Sequence, residues 1–153
     1  MTTAPRTVSV CCMNPEQLFS AASAVALIGW SFLVLAPLRR DWAVLGARMI
    51  AAILCGGYLC FLVAGLTGGN TPPADANFTT LAGVRLLLST PQALLAGWVH
   101  YLAFDLFIGA WEAESAPAVR LPHWVLLPCL ALTFLAGPVG LLLFLIIKAA
   151  RQR

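Results

Sequence analysis

At 153 residues the chain is long enough for one domain. A hydrophobic content of 61%, a charged content of only 10% and a mean hydropathy of +0.90 exclude an ordinary soluble domain. The net charge of +3 comes from basic residues beside apolar runs rather than from a basic patch, so a nucleic-acid partner is excluded.

Four apolar runs dominate the chain, at about residues 18–36, 43–66, 93–111 and 125–147. Each is near the ~20 residues that a helix needs to cross ~30 Å of hydrocarbon. Membrane-spanning β-strands would be ~10 residues long with alternating polarity, and these runs show neither property. The expected fold is all-α: an integral membrane bundle of four transmembrane helices with both termini on one side. A polar tail (1–16), a single transmembrane domain (17–147) and a basic tail (148–153) complete it. No secretory signal or plastid transit peptide is expected in the ~16 residues before the first run. Cys11 and Cys12 are placed in this tail, as ordinary tail residues or as acylation sites.

The first helix is capped by Asn14-Pro15-Glu16 and ends near Pro37, followed by a basic connector with Arg39 and Arg40. The second helix holds Gly46, Ala51, Ala52, Gly56, Gly57, Ala64 and Gly65, and small residues let membrane helices approach closely. The connection 67–91 opens with Gly68, Gly69, Asn70, Pro72 and Pro73, which is loop chemistry. Phe78, Leu81, Val84, Leu87 and Leu88 then recur at helical spacing and predict an interfacial helix. Pro91 starts the third helix, 112–120 is read as a short polar loop, and His123 and Trp124 sit at an interface. Pro138, inside Gly137-Pro-Val-Gly140, predicts a kink in the fourth helix. With four straight spans the basic residues divide five against four between the two sides, a weak lean toward cytoplasmic termini.

The third helix carries Trp98-Val-His-Tyr-Leu-Ala-Phe-Asp105. Each ionisable group at bilayer depth costs roughly 2.5–3.5 kcal/mol, so a chain that keeps several there is expected to use them. Leu94, Trp98, Tyr101 and Asp105 share one stripe, and Tyr101 and Asp105 are in hydrogen-bonding register. His100 lies roughly 140° from Asp105 on the same wheel, at a similar depth. The candidate catalytic residues are His100, Asp105 and Tyr101, a general acid and base in a low-dielectric site. Trp98, Phe104 and Trp111 are the candidate substrate-binding residues. The competing reading is a polar clamp that holds the bundle together. Arg48 is read as snorkelling or as a counter-ion for Asp105. Cys55, Cys60 and Cys129 are read as packing residues. There is no zinc spacing, no phosphate-cradling loop and no nucleophile elbow, and haem between His100 and His123 is excluded by their depths, so no metal and no cofactor are expected.

The run Ala96-Gly-Trp-Val-His-Tyr-Leu-Ala-Phe-Asp-Leu-Phe-Ile-Gly-Ala-Trp111 resembles the signature of the family named for abscisic acid deficiency. So do Leu135-Ala-Gly-Pro-Val-Gly-Leu-Leu142, and Trp30 with Pro37. The likeness covers about residues 14–147. These are small membrane proteins of plastids with bacterial relatives, and the plant members are associated with neoxanthin synthesis. The resemblance implies a bacterial, multi-pass protein of the inner or intracytoplasmic membrane, acting on a carotenoid or another isoprenoid ligand. It also implies a cofactor-free isomerase that converts an epoxide to an allenic alcohol. The alternative is a non-catalytic pigment-binding or assembly subunit, working with a membrane-protein partner or as a homo-oligomer.

Overall fold

The computed structural model describes residues 14–67 and 73–152. The expectations for Cys11, Cys12, Gly68, Gly69, Asn70, Pro72 and Arg153 lie outside the described residues. The described elements are helical: α1 (Pro15–Val34), α2 (Arg40–Thr67), α3 (Leu81–Leu87), α4 (Pro91–Ser115), α5 (His123–Ala136) and α6 (Pro138–Arg151), with a 3-10 turn, Ala116–Val119, after α4.

Helices α1, α2 and α4 are each long and apolar enough to cross a membrane. Asn14 caps α1, its side chain accepting from the Glu16 amide at 3.1 Å, and Pro15 fills the first turn, where a missing N–H costs nothing. Thr90 caps α4 in the same way, accepting from the Ala93 amide at 3.2 Å before Pro91. The predicted interfacial helix is the short α3, capped by Thr80.

Glycines set the close packing of the three long helices. A Cβ on Gly29 would strike Leu106, and one on Gly109 would strike the Trp30 ring. On the other side, Gly46 lies against Phe32. These pairings make α1 parallel to α4 and antiparallel to α2. Large apolar side chains such as Leu27, Ile28, Ile53 and Leu59 face outward, as a lipid-facing surface requires.

The predicted fourth span takes a different form. Residues 123–151 are two helices of 14 residues each, joined at Gly137 and folded back on one another. Gly140 of α6 lies against the backbone N of Thr133 and the carbonyl oxygen of Cys129 in α5. In a straight helix residues 129 and 140 would be about 16 Å apart. Pro138 is the physical reason. It has no N–H for the Phe134 carbonyl and its ring opposes continuation of the preceding turn. Gly140, without a side chain, then admits α5 backbone at contact distance. Hydropathy alone reads such a pair as one kinked span.

The hairpin enters from the end of the bundle where α1 and α4 finish, called here the lower end, and returns to it. The two termini of the described chain therefore lie at opposite ends, not on one side as four straight spans require. Polar contacts fasten the lower end. Arg151 Nη1 donates to the Arg120 carbonyl at 3.0 Å, and Arg40 Nη1 to the Ala113 carbonyl at 3.2 Å. His123 Nε2 donates to the Val34 carbonyl at 3.1 Å, and Lys148 Nζ sits 4.9 Å from the Trp111 ring centroid. Arg48 forms a two-point pair with Glu114 at 2.9 and 2.6 Å, so it is not the counter-ion of Asp105. Both partners of that pair are substantially exposed, at 35% and 51%. Glu114→Gln is expected to cost no more than about 1 kcal/mol in a detergent unfolding titration.

Candidate functional site

Because the hairpin turns back part-way up the bundle, it covers only the lower half of the face shared by α1 and α4. Above its tip that face is an apolar groove of about 550 Å³. Phe19 of α1, Leu88 of the α3–α4 connection, and Leu94, Leu95 and Trp98 of α4 form its walls. Glu16 stands at its mouth and Tyr101 at its floor. Ten residues of α4 separate Pro91 from Tyr101, a depth of roughly 15 Å. Trp98 is held in place by its indole Nε1, which donates to Ser23 Oγ at 3.1 Å, and by ring contacts with Phe19 at 5.2 Å and Tyr101 at 5.5 Å.

At the floor the bundle meets the hairpin tip. The Tyr101 hydroxyl donates to the Phe134 carbonyl at 3.3 Å, the carbonyl that Pro138 leaves without a helical partner. The same hydroxyl also lies within hydrogen-bonding reach of the Asp105 carboxyl. One turn below, the Asp105 carboxyl presses on the turn itself: a Cβ on Gly137 would lie 2.5 Å from Oδ1 and 3.1 Å from Oδ2. Gly137 is the N-cap of α6, so the carboxyl stands at the start of that helix, by the positive end of its dipole. Asp105 Oδ2 is buried and accepts no hydrogen bond among the described residues. A carboxyl with one unpartnered oxygen thus lies one turn from a phenol, behind the floor of an apolar groove.

The other predicted site residues lie elsewhere. His100 is exposed on the outer face of α4, its ring 4.5 Å from Phe104 and 5.6 Å from Tyr58. Phe104 is 56% exposed on that face. Trp111 packs edge-on against Phe144 of α6, 5.5 Å between centroids. Of the six predicted residues, Trp98 and Tyr101 line the groove, Asp105 lies one turn deeper behind Tyr101, and His100, Phe104 and Trp111 lie away from it.

A second carboxyl, absent from the sequence-based site, completes the stripe. Glu112, which the sequence reading places at the start of a polar loop, belongs to the last turns of α4 and is 0% exposed. Its carboxyl oxygens accept from the equally buried Thr133 Oγ1 of α5 at 3.0 and 3.2 Å. Seven residues separate it from Asp105, two helical turns, so both carboxyls face the hairpin. That spacing was the available signal; the density of polar residues after Trp111 masked it. Thr133→Val removes the hydroxyl and leaves the carboxyl alone, at an expected cost of roughly 1–3 kcal/mol. Glu112→Gln, which still accepts from Thr133, is expected to cost less. Thermal unfolding of the two variants in the same detergent tests the order.

Among the described residues no group of three or more histidine, cysteine or carboxylate side chains is placed to hold a metal ion. The family profile described as ABA DEFICIENT 4-like matches residues 17–144. Neither a curated protein nor a solved structure matches the chain significantly.

Proposed function

We propose, for a chain that belongs to the ABA DEFICIENT 4-like family, a membrane-embedded protein that acts on the polar end group of a carotenoid or related isoprenoid lipid. The reaction class is a cofactor-free isomerisation of an epoxide to an allenic alcohol. The setting is a multi-pass protein of a bacterial inner or intracytoplasmic membrane. The observation that carries this reading is an apolar groove that ends on Tyr101, with the buried, unpaired Asp105 Oδ2 one turn behind that floor.

The chemistry balances with these two groups. Asp105 removes a proton from the polyene carbon beside the epoxide-bearing ring. The C–H electron pair becomes the new double bond of the allene, and the epoxide C–O bond breaks. The oxygen takes the Tyr101 proton and becomes the hydroxyl. Asp105 then returns its proton to Tyr101, one turn away, and the protein ends as it began. No electrons are gained or lost. Trp98 walls the approach, and its ring offers a flat face to a conjugated chain. General acid–base groups of this kind contribute about 10²–10⁴ each to a rate.

The alternative is a pigment-binding or assembly subunit, and one observation favours it. His100 and Tyr58 meet on the outer face, and neither has a hydrogen-bond partner among the described residues. A partner in the membrane would satisfy both. Expression of the chain in bacteria that accumulate violaxanthin separates the readings. A new pigment of unchanged mass supports the isomerase. Unaltered pigment co-purifying in fixed ratio supports the subunit.

A further inference from the structure

We infer that the groove opens sideways into the bilayer leaflet remote from the cytoplasm, so that the ligand reaches Tyr101 and Asp105 from that leaflet. The inference rests on reading the groove as the ligand site. It joins two independent observations: where the hairpin stops and where the cations lie.

The hairpin decides the first. No residue of α5 or α6 lines the groove, because both helices belong to the lower half of the bundle. The walls come from the beginnings of α1 and α4 and from Leu88, all at the upper end. The flank above the hairpin tip is left without a helix to cover it. A slender apolar molecule can slide in from the surrounding lipid with its polar end group leading to the floor. Glu16 at the mouth stands at headgroup level, where a carboxylate stays hydrated.

Charge decides the second. Arg39, Arg40, Arg48, Arg120, Lys148 and Arg151 lie toward the lower end, whereas Arg85 alone lies at the upper end among the described residues. Lysine and arginine close to span ends orient membrane proteins with the richer side in the cytoplasm, and acidic residues count for little. Six against one is a decisive balance. A straight fourth span would carry Lys148 and Arg151 to the upper end and leave four against three, which decides nothing. The fold-back therefore concentrates the basic residues on one side and places the groove on the other.

The test uses the full chain in bacterial spheroplasts. All five cysteines are replaced, and a single new one is introduced by Asp75→Cys at the upper end or Gln152→Cys at the lower end; both positions are exposed. A membrane-impermeant maleimide is applied before and after lysis. The expected result is labelling of Asp75→Cys in intact spheroplasts and at least tenfold protection of Gln152→Cys until lysis. The reverse pattern places the groove in the cytoplasmic leaflet and overturns the inference. Equal labelling of both positions before lysis returns the C-terminus to the groove side and overturns the hairpin as well. Fusions of a cytoplasm-folding fluorescent protein to the N-terminus and, separately, to the C-terminus of the unmodified chain give the same decision if the cysteine-free protein does not fold. Expected there is fluorescence from the C-terminal fusion and none from the N-terminal one; a dark C-terminal fusion or a fluorescent N-terminal fusion on an inserted chain overturns the inference.

A groove-filling variant keeps this separate from the function. Gly97 has only the tip of Leu88 near it, 3.6 Å from where a Cβ would stand, so Gly97→Leu fills the groove without striking backbone. It is expected to abolish conversion of violaxanthin and leave the labelling pattern unchanged. Labelling as expected with no conversion by the parent chain sinks the isomerase and spares the orientation.

Discussion

Gly140→Ala is expected to unfold the hairpin, lowering stability by about 3 kcal/mol. The methyl group would be driven into the Thr133 amide nitrogen and the Cys129 carbonyl oxygen. These are backbone atoms of a packed helix and cannot swing aside, so the strain falls at the upper end of the overpacking range. Gly56→Ala supplies the control. It adds the same methyl group to another helical glycine where nothing lies within 4 Å. That variant is expected to be neutral or slightly stabilised, since alanine gains roughly 0.5–1 kcal/mol over glycine inside a helix. Tryptophan fluorescence during thermal unfolding in detergent reads both. Trp30 contacts Phe134 of α5 and Trp111 contacts Phe144 of α6, so two indoles report on the hairpin directly. Equal melting midpoints for the two alanine variants would mean that α6 does not lie against α5.

The second large effect belongs to Asp105. Asp105→Asn keeps the size of the side chain beside Gly137 but removes the base, and conversion of violaxanthin is expected to fall by about 10²–10⁴. Thermal stability is expected to change little. Asp105→Glu, one methylene longer, has no room against the hairpin turn and is not expected to rescue the activity. His100→Ala is expected to keep conversion within about threefold of the parent, because the imidazole stands on the outer face with Phe104 and Tyr58. A collapse of activity with His100→Ala alone would move the chemistry to that face. Retained activity in Asp105→Asn would end the acid–base proposal altogether.

Much of this arrangement can be read from residue order, and its gaps have physical causes. The three long helices follow from apolar length and from Asn14-Pro15 and Thr90-Pro91, because burial in lipid leaves a helix no other way to pair its backbone. The stripe Trp98, Tyr101 and Asp105 follows from helical spacing alone. The hairpin does not. Hydropathy is blind to direction, and 23 apolar residues score the same whether they run straight or double back. Pro138 marks the break, but only Gly140 lying against Cys129 and Thr133 sets its angle, and those contacts span 7 to 11 residues. Glu112 was hidden by its polar neighbours Glu114 and Ser115, although two turns from Asp105 is a core position. His100 was drawn into the site by its chemistry, whereas its angle on the helix already set it apart.

The folded-back segment has a consequence for how the protein is made. Each arm, at 14 residues, reaches roughly 21 Å, short of the hydrocarbon thickness. The same residues laid straight are long enough to cross. The last fifth of the chain therefore satisfies the insertion machinery in two ways, and partitioning into lipid does not choose between them. The contacts that fix the folded-back form are tertiary ones: Thr133 to Glu112, Tyr101 to the Phe134 carbonyl and Arg151 to the Arg120 carbonyl. If the three long helices span the membrane, biogenesis would have an early stage that threads them in order and a late one in which these contacts select the topology.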